Sequence, residues 1–430
     1  EGRMNPGKVV DPAPLDADLR RLRPLAGIAD QGSLSREALR CVGVGKCRRP
    51  GGGTMCPSYK VTGEEKHSTR GRARLLYEML EGGVIRDGFD SAEVHDALDL
   101  CLSCKGCKSE CPAGVDMAAY KAEFLSRHYR GRLRPVQAYA LGLIPWWARL
   151  ASRAPRAANL LAGPAGKLAG IAPERRLPAF ARQTFRAWFA QRDAGRTAGR
   201  PILLWPDTFT NAFHPEIGIA ATEVLEAAGF RVSLPRRVLC CGRPLYDFGM
   251  LDLARRWLAQ ILETLPEGID VVGLEPSCVT TFRDELLQLF PEDPRARSLA
   301  ARTFTLSELL TRPEAGFAPP RLDRRAVVHG HCHHKAVLGM AADRELLSRL
   351  GLAVEVLDSG CCGMAGAFGF AKSHYEVSIA CGEQALFPAV RAAGEDALLV
   401  ADGFSCREQI VQATGRQALH LAQVLRMALR

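Results

Sequence analysis

Four thiols at short, regular spacing form the stretch of this sequence with the clearest chemistry. Cys101, Cys104, Cys107 and Cys111 are followed at once by Pro112. An iron–sulfur cluster is small, so three thiolates on one tight turn can reach three of its irons, while a fourth that starts a helix points away. Zinc sites usually pair Cys-x-x-Cys with a distant second pair instead. The spacing therefore predicts an iron–sulfur site rather than a zinc site or a disulfide framework.

A second, altered thiol motif precedes the first. Cys41, Cys47 and Cys56 are followed by Pro57, but Val44 stands where a further thiol would complete the triplet. The interval between Cys47 and Cys56 is longer than usual and contains three successive glycines. This motif predicts a second cluster with an incomplete set of thiolates.

Helical runs over 71–81 and 91–100 separate the two motifs. The four-cysteine run resembles that of bacterial-type ferredoxins. The order motif, helix, helix, motif resembles the two-cluster domain in the iron–sulfur subunits of succinate dehydrogenase and anaerobic glycerol-3-phosphate dehydrogenase. The resemblance implies a helical two-cluster ferredoxin-like domain over residues 31–130. It also implies cross-ligation, with one [4Fe–4S] cluster on Cys101, Cys104, Cys107 and Cys56, and the second cluster on Cys41, Cys47 and Cys111.

The type of the second cluster depends on its missing ligand. The iron–sulfur subunit of succinate dehydrogenase has the same Cys-x5-Cys gap at a [3Fe–4S] site, and three thiolates match three irons. We therefore expect [3Fe–4S] here. The alternative is [4Fe–4S] with a ligand other than cysteine, for which His67 is the nearest candidate. Otherwise His67, between Lys66 and Ser68, is expected to be a solvated loop residue.

The C-terminal half alternates strands and helices twice over. Strands are expected at 201–205, 231–234, 271–274, 326–329, 353–357 and 398–400, and helices at 216–228 and 251–264. Most of the remaining cysteines follow these strands, and open α/β sheets bind ligands at the carboxyl ends of their strands. Two pairs of cysteines are adjacent, Cys240-Cys241 and Cys361-Cys362. Consecutive Cα atoms lie about 3.8 Å apart, so such pairs make poor disulfides and plausible twin metal ligands.

This arrangement resembles the cysteine-rich CCG domain of heterodisulfide reductase, lactate-utilisation proteins and glycolate oxidase iron–sulfur subunits. The resemblance implies two α/β CCG repeats, over 201–318 and 319–430, each a candidate site for a further iron–sulfur cluster or zinc. The second repeat offers Cys332, Cys361, Cys362 and Cys406, with His331, His333 and His334 beside them. The first offers Cys240, Cys241 and Cys278, and Thr208 or its neighbour replaces the first family cysteine. Both repeats lack the last family cysteine, because Thr281 and Gln409 stand there. Since the first repeat has only three thiols, the second is the better candidate metal site, and the first is expected either to be vestigial or to complete a shared site.

Two further features of the second repeat have structural explanations. Cys381 lies alone on an expected helix, where a cysteine is usually a small core residue. The glycine-rich run from Gly363 to Gly369 lacks the spacing of a nucleotide-binding loop and follows the cysteine pair, so it predicts a tight turn or a close backbone approach.

Residues 131–200 contain 13 Arg and Lys residues against Glu174 and Asp193. They also include Trp146, Trp147 and Trp188, and they read as short helices broken by prolines at 145, 155, 164, 173 and 178. One interpretation is a helical linker with a solvated basic face. The other is a surface that contacts anionic lipid. Nucleic acid is not expected as a partner, because no recognition module accompanies the charge.

The whole chain has 430 residues, 47% of them hydrophobic, and 15 cysteines, nearly all in metal-type groups. This pattern indicates a reducing, cytoplasmic setting, with contact at the inner face of the membrane as an option. The longest apolar run, 136–148, is too short to span a bilayer. Residues 1–30 include the stretch from Met4 to Pro12, whose two prolines and glycine disfavour a helix. This stretch resembles the segment that closes the flavin domain of FAD-linked oxidases of the D-lactate and D-2-hydroxyglutarate dehydrogenase kind. We expect residues 1–30 to be the tail of a flavin domain that lies outside this sequence.

Together the motifs predict an α+β multi-domain protein, resembling the C-terminal half of FAD-linked D-2-hydroxy-acid dehydrogenases of the D-lactate and D-2-hydroxyglutarate type. The resemblance implies an oxidoreductase part that passes electrons from FAD on a flavin domain or subunit to a quinone or protein acceptor. The first alternative is a separate iron–sulfur subunit of a glycolate oxidase or glycerol-3-phosphate dehydrogenase complex. The second alternative is a thiol reductase like heterodisulfide reductase. No catalytic or substrate-binding residue is assigned.

Overall fold

The computed structural model describes residues 31–192 and 199–430. The expected tail over residues 1–30 lies outside them. The described chain is mostly helical and contains two parallel β-sheets. Four parts are distinguished below: a thiol-rich helical region (31–130), a helical layer (131–192), a first α/β unit (199–318) and a second α/β unit (319–430).

The thiol-rich helical region contains six helices, which position the two cysteine motifs. The helix expected over 71–81 begins earlier, at Thr69, because the Ser68 side chain accepts a hydrogen bond from the Gly71 N–H and caps it. Ser91 caps the next helix in the same way through the N–H of Val94. The helices are α1 (Gln31–Ala38), α2 (Pro57–Thr62), α3 (Thr69–Glu81), α4 (Ala92–Asp99), α5 (Gly106–Glu110) and α6 (Met117–His128).

The helical layer contains the expected short helices, α7 (Val136–Gly142), α8 (Ile144–Ala151), α9 (Pro155–Leu168) and α10 (Phe185–Gln191). Pro145 and Pro155 stand in the first turns of α8 and α9, where a missing N–H costs nothing. The expectation that Pro164 breaks a helix is wrong, because it lies inside α9. The layer is attached to the second α/β unit, since the Ala172 N–H donates to the Phe370 carbonyl at 2.8 Å.

Two parallel sheets form the centres of the α/β units. The first sheet has the order β2-β1-β3-β4 and the second has the order β6-β5-β7, so each places its first strand between the next two. Every expected strand is present within a residue or so, but the three-residue strand β4 was not predicted. The strands are β1 (Arg200–Trp205), β2 (Phe230–Ser233), β3 (Val271–Gly273), β4 (Thr303–Thr305), β5 (Arg325–Val328), β6 (Ala353–Val356) and β7 (Leu398–Val400).

Helices cover both sheets and close the cores around the thiols. A single apolar core includes residues of both units, such as Ile202 and Leu204 of the first and Val328 and Val400 of the second. The first unit contains α11 (Thr208–Ala212), α12 (Pro215–Ala227), α13 (Arg243–Asp247), α14 (Leu251–Thr264), α15 (Pro276–Thr280), α16 (Leu286–Leu289), α17 (Pro294–Ala301) and α18 (Leu306–Thr311). The second contains α19 (Ala341–Arg349), α20 (Tyr375–Glu383), α21 (Leu386–Ala392), α22 (Phe404–Thr414) and α23 (Leu421–Ala428).

A buried group of charges joins the thiol-rich helical region to the first α/β unit. The ammonium of Lys105 is fully buried and lies 3.0 Å from Asp116, 2.6 Å from Asp284 and 2.8 Å from Glu285. Arg243 also pairs with Glu285. Because breaking one partner of such a group leaves uncompensated buried charge, the contact holds the two parts in a defined relative position.

Candidate iron–sulfur and metal centres

The main cysteine motif lies on a loop whose backbone is shaped for ligands. Ser103 and Lys105, on either side of Cys104, both have left-handed φ angles, of 50° and 58°. Residues other than glycine adopt this conformation at a cost, and such residues concentrate at functional sites. The Met117 N–H donates to the sulfur of Cys107 at 3.3 Å, a bond that suits a thiolate ligand. The loop therefore turns its thiols inward and supplies an N–H donor to one of them.

The Cys41 thiol of the second motif lies near both Cys47 and Cys111. Burial raises the pKa of the Cys41 thiol, and the neighbouring thiolates of Cys47 and Cys111 raise it further. A hydrogen bond from Cys56 lowers the pKa of Cys47 to about 6, against the effect of burial. The structure thus gathers Cys41, Cys47 and Cys111, and it places Cys56 in contact with the same group.

Cys56 lies between the two sets of thiols. It contacts Cys47 and also interacts electrostatically with Cys107 of the main motif. Its sulfur accepts a hydrogen bond from the Thr69 N–H at 3.1 Å and lies 2.9 Å from the Thr69 hydroxyl. Its φ of 52° is also left-handed. The assignment of Cys56 to the main-motif cluster stays a prediction.

The glycine-rich insertion before Cys56 is fixed from three sides. Lys60 donates to the carbonyl oxygens of Gly52 and Gly53 at 2.6 and 2.7 Å. Asp358 of the second α/β unit accepts from the Gly53 N–H at 3.1 Å, and Glu110 accepts from the next N–H along the chain. Gly53 has φ of 65°, and a Cβ there would lie 2.6 Å from the Glu110 carboxylate. The insertion is a docked loop that sets the course of the chain into Cys56.

His67 is not the solvated loop residue that was expected as the alternative to a ligand. It is only 3% exposed, and its Nδ1 lies 2.8 Å from the Thr62 hydroxyl. Burial, followed by the charge of Arg72, lowers the pKa of its imidazole. The expectation failed because α3 folds over the short turn that holds His67. By contrast Val44, at the position of the missing thiol, is 62% exposed.

The second α/β unit gathers its cysteines beyond the ends of β5, β6 and β7. The Cys362 thiol has its pKa lowered well below the usual value by hydrogen bonds from Cys361 and Cys406, against the effect of burial. Cys332 in turn forms a hydrogen bond with Cys361. Cys362 is therefore a thiolate that accepts hydrogen bonds from two neighbouring thiols. We expect such a group of cysteines to bind a metal once the remaining thiols lose their protons.

His329 joins this set and was not predicted as a ligand. One of its ring nitrogens lies within 4.8 Å of the sulfurs of Cys362 and Cys406. Its Nδ1 lies 2.7 Å from the Ser359 hydroxyl, which fixes the ring. Fixing one nitrogen of an imidazole by a second hydrogen bond is typical of histidines that bind metals. The available sequence signal was its position directly after β5, but a lone histidine has no spacing to recognise.

The three histidines noted beside Cys332 have other partners. His333 Nε2 lies 2.8 Å from the Ser103 carbonyl oxygen, and His334 Nε2 lies 3.0 Å from Asp343. His331 is buried, which lowers the pKa of its imidazole to about 3, and it lies 4.0 Å from Glu275. His334, Asp343 and Asp402 form a second buried group of ligand type within 4.8 Å. The three histidines therefore contact residues around the thiols, namely Ser103, Asp343 and Glu275.

The first α/β unit repeats this arrangement with one thiol fewer. The Cys241 and Cys278 sulfurs lie 3.0 Å apart. Hydrogen bonds from Cys240 and Cys278 lower the pKa of Cys241 well below the usual value, although burial opposes the shift. Thr208 forms a hydrogen bond with the Cys240 thiol, so a hydroxyl stands where the second unit has the Cys332 thiol.

The positions of the missing family cysteines have structural uses. Gln409 donates to the carbonyl oxygen of Cys362 at 3.0 Å, and the Thr281 hydroxyl donates to that of Ser277 at 2.8 Å. Cys381 is buried in α20, which raises its pKa to about 12. The close approach expected near Gly363 is to α20, since a Cβ at that residue would lie 2.0 Å from the Ser378 carbonyl oxygen.

The main cysteine motif and the second α/β unit are in direct contact. The bond between His333 and the Ser103 carbonyl joins the neighbours of Cys332 and Cys104. After burial, the Cys332 thiolate is the largest influence that raises the pKa of Cys104. Both cysteines also belong to one apolar core group, which keeps water away from the junction.

The donor sets fit iron–sulfur or other thiolate-bound metal. They consist of converging buried thiols, N–H groups that point at sulfur, and a thiol of lowered pKa in the altered cysteine motif and in each α/β unit. These are the features that favour thiolate over thiol.

Comparison with protein families agrees with both regions. The 4Fe-4S dicluster domain family matches residues 37–115, and the cysteine-rich domain family matches residues 208–283. The chain therefore carries iron–sulfur domains of the ferredoxin and CCG types. Within the described residues, no helix has both the length and the apolar character needed to cross a bilayer.

Curated relatives place the chain more closely. It is 31% identical to lactate utilization protein A of Bacillus velezensis over 39% of this chain and 74% of that protein. The chain belongs to the iron–sulfur protein family of lactate utilization protein A. It is also 32% identical to a subunit of the anaerobic glycerol-3-phosphate dehydrogenase of Escherichia coli, over 59% of this chain and 66% of that relative.

The similarity that covers most of the chain is to larger enzymes. The D-2-hydroxyglutarate dehydrogenase of Pseudomonas putida is 26% identical over 98% of this chain. The chain spans about half the length of that relative, at 47%. The relatives named as dehydrogenases are oxidoreductases.

Proposed function

We propose that this chain is the electron-transfer part of a flavin-dependent 2-hydroxy-acid dehydrogenase, which passes electrons from a flavin to a quinone or a protein acceptor. The observation that carries the proposal is the junction at which His333 binds the Ser103 carbonyl at 2.8 Å and brings Cys332 beside Cys104. This contact makes a short, water-poor route between two thiol sites. Similarity to D-2-hydroxyglutarate dehydrogenases over 98% of the chain supports the same function.

The thiol-rich helical region would hold two clusters. We assign [4Fe–4S] to the main motif completed by Cys56 and [3Fe–4S] to Cys41, Cys47 and Cys111. The exposure of Val44 and the contact of His67 with Thr62 support three protein ligands at the second site. Bound clusters supply one-electron uptake and release. The chain's own residues hold them with thiolates, bury them and direct N–H groups at the sulfurs.

The two α/β units would be two copies of the cysteine-rich domain, over 201–318 and 319–430. Their equivalent strand orders and cysteine pairs support this assignment. The second copy is the stronger metal site, because it has four thiols and His329 where the first has three thiols and Thr208. A further iron–sulfur cluster or zinc would suit these donors.

The partner that supplies electrons would carry FAD on a flavin domain or subunit. The acceptor would be a quinone or a second protein. The basic, apolar helical layer supports a peripheral contact with the inner face of a membrane, since it combines exposed tryptophan with arginine.

Iron content and spectroscopy test the cluster assignment. Anaerobically purified protein should contain at least about seven irons per chain, from one four-iron and one three-iron cluster. The oxidised protein should give the near-isotropic EPR signal of a three-iron cluster, and Val44→Cys should convert part of it to a four-iron cluster. Fewer than four irons per chain, with zinc in their place, would contradict the proposal. Loss of a cluster in His67→Ala, without a three-iron signal in the wild type, would instead make His67 the fourth ligand.

A second candidate is a separate iron–sulfur subunit of a multisubunit dehydrogenase. The similarity to a subunit of anaerobic glycerol-3-phosphate dehydrogenase, over 66% of the length of that relative, favours it. The two candidates differ in how the flavin is attached. Co-purification with a distinct flavoprotein would support the subunit, whereas flavin on the same polypeptide as these cysteines would support the fused enzyme.

A further inference from the structure

A cavity of about 970 Å³ lies between the helical layer, the thiol-rich helical region and both α/β units. Its volume is at the upper end of the range of about 300–1,000 Å³ that is usual for small-molecule sites. Most of its wall is apolar and comes from α7, α8, α9 and the segment that follows them. Such an apolar space, which is partly open at the surface, is suited to a ligand with rings and hydrocarbon.

One end of the cavity reaches both thiol sites. Cys101 of the main motif and Cys332 of the second α/β unit are part of its lining, as is Ser103, whose carbonyl binds His333. A ligand at this end would contact the protein that surrounds two candidate metal sites. The cavity is therefore placed where an electron acceptor is needed.

Some buried polar atoms in the lining lack hydrogen-bond partners. Nε2 of Gln137 and Nδ1 of His374 are buried and form no hydrogen bond within the described residues. The His374 ring is held by Asp99 at 2.7 Å and stacks on Phe368 with ring centroids 4.3 Å apart. An unsatisfied buried donor costs about 1–3 kcal/mol, so a ligand carbonyl that accepts from Gln137 would remove a real penalty. The aromatic pair offers a flat surface for a planar ring.

The helices that form the apolar wall also face outward with apolar side chains. Leu160 and Leu168 of α9 are 80% and 84% exposed. From residue 131 to 173 the chain has six basic residues and no acidic one. An apolar, basic surface of this kind suits the interface of an anionic bilayer. The other large hydrophobic residues exposed on this layer are Leu133 and Trp146, outside the cavity lining, and Val136, Tyr139, Trp147, Leu150 and Leu161, which also line the cavity.

We propose that the cavity is the binding site for the ring of a membrane quinone, with Gln137 as donor to a ring carbonyl and the outer face of α9 resting on the bilayer. The inference rests on the proposed electron-transfer function and specifies the acceptor and its location. The quinone fits because it combines a planar ring, two carbonyl acceptors and an isoprenoid tail, which match the stacked pair, the free amide and the apolar wall. A membrane quinone is dissolved in the bilayer, which is the surface that the exposed leucines of α9 would contact.

Direct binding of short-chain quinones to the purified chain tests the proposal. Equilibrium dialysis with ubiquinone-1 and menadione should show saturable binding. In the series Ala162→Val, Ala162→Leu and Ala162→Trp, which fills the cavity progressively from its wall, affinity should fall stepwise, by more than tenfold at the last. Gln137→Leu should weaken menadione about three- to tenfold, the value of one hydrogen bond. It should leave 2-methylnaphthalene, which has the ring without the oxygens, unaffected.

Exposed leucines outside the lining provide the matched controls. Leu160→Ser and Leu168→Ser should keep the affinity for menadione and lose sedimentation with phosphatidylglycerol vesicles. Ala162→Trp should behave in the opposite way. Circular dichroism and the thermal midpoint of each variant show whether it is folded, and Ala162→Val remains informative if the tryptophan variant fails to fold.

Absence of quinone binding by the wild-type chain, or unchanged binding by a folded Ala162→Trp, would overturn the proposal. In either case electron transfer from the flavin to ferricyanide in the flavin-containing enzyme would still support the proposed function, so the two failures are distinguishable. The opposite result is a wild-type chain that binds quinone but contains no clusters, in an enzyme that does not reduce ferricyanide. That result would mean that the quinone site exists but that the proposed electron-transfer function is wrong.

Discussion

The two α/β units share a strand order but contact the thiol-rich helical region by different chemistry. The first is joined through the fully buried Lys105 and its carboxylates Asp284 and Glu285. The second is joined through His333 and the neighbours of Cys332 and Cys104. The difference indicates that similar folds serve distinct tasks here. The first unit anchors the thiol-rich helical region, while the second places its candidate metal site beside the main cysteine motif.

The largest expected effect distinguishes the two thiol sets directly. Cys362→Ser should abolish metal at the second unit and electron transfer to the acceptor, because Cys362 is the thiol that its neighbours hold as a thiolate. Cys361→Ser should also lower metal content and electron transfer. Cys240→Ser, in the first unit, should lower both by less than either variant of the second unit. Metal per chain and acceptor reduction are the measurements, while flavin reduction by substrate should be unaffected. Equal, negligible losses in both units would make the pairs structural, and a larger loss at Cys240 would reverse the ranking.

Removing the buried charge of Lys105 should lower the stability of the fold more than it changes electron transfer. Lys105→Met leaves Asp116, Asp284 and Glu285 without their central cation, which should cost about 3–5 kcal/mol of the free energy of unfolding. Lys108→Met is the matched control and should cost less, since the Lys108 side chain is a third exposed. Urea unfolding under anaerobic conditions measures both. A change under about 1 kcal/mol for Lys105→Met would show that the charges do not anchor the first unit.

The difference in metal binding between the two units can be tested by giving the first unit a fourth thiol. Thr208 already bonds the Cys240 thiol, so Thr208→Cys should complete a set of four thiols. We expect higher metal content per chain after reconstitution, because affinity rises as thiolates converge. Thr208→Ser retains the hydroxyl and serves as the control. If Thr208→Cys binds no more metal than this control, the first unit lacks the space for a site as well as the fourth thiol.

The smallest expected effect concerns the pH dependence of the contact between the two units. Burial lowers the pKa of His214, but its bonds to Glu216 and to Glu408 of the second unit outweigh burial and raise it to about 9. The ordinary pKa of histidine is about 6.5, so below that pH the contact contributes its full stabilisation to the folded protein. This stabilisation is lost as the pH rises through the pKa of about 9 that His214 has in the folded state. His214→Asn should therefore flatten the fall in thermal midpoint between about pH 6.5 and 9. Parallel curves for variant and wild type would exclude the effect.

Local patterns in the sequence predicted much of this molecule. Cysteine spacing indicated both thiol motifs, and strand periodicity located six of the seven strands. β4 was missed because three residues, Thr303–Thr305, are too few to show a period. Pro164 was misread as a helix breaker because neighbouring turns of α9 support it.

What the sequence could not show depends on contacts between distant residues. Lys105 lies 179 residues from Asp284, and nothing near either residue signals the pair. His329 becomes a candidate ligand only once β5, β6 and β7 bring Cys362 and Cys406 to it. The cavity likewise exists only where parts of the chain that are distant in the sequence meet.

The docked glycine-rich loop also has a consequence for biosynthesis. The Gly53 N–H that leads into Cys56 is held by Asp358, 305 residues further along the chain. Residue 358 emerges from the ribosome long after Cys56, so the loop can reach its final course only after Asp358 has been synthesised. Until then the Gly53 N–H lacks its carboxylate acceptor, and the chain leading into Cys56 is less constrained. A chain truncated before residue 358 should therefore hold the backbone before Cys56 less rigidly than a chain that contains Asp358.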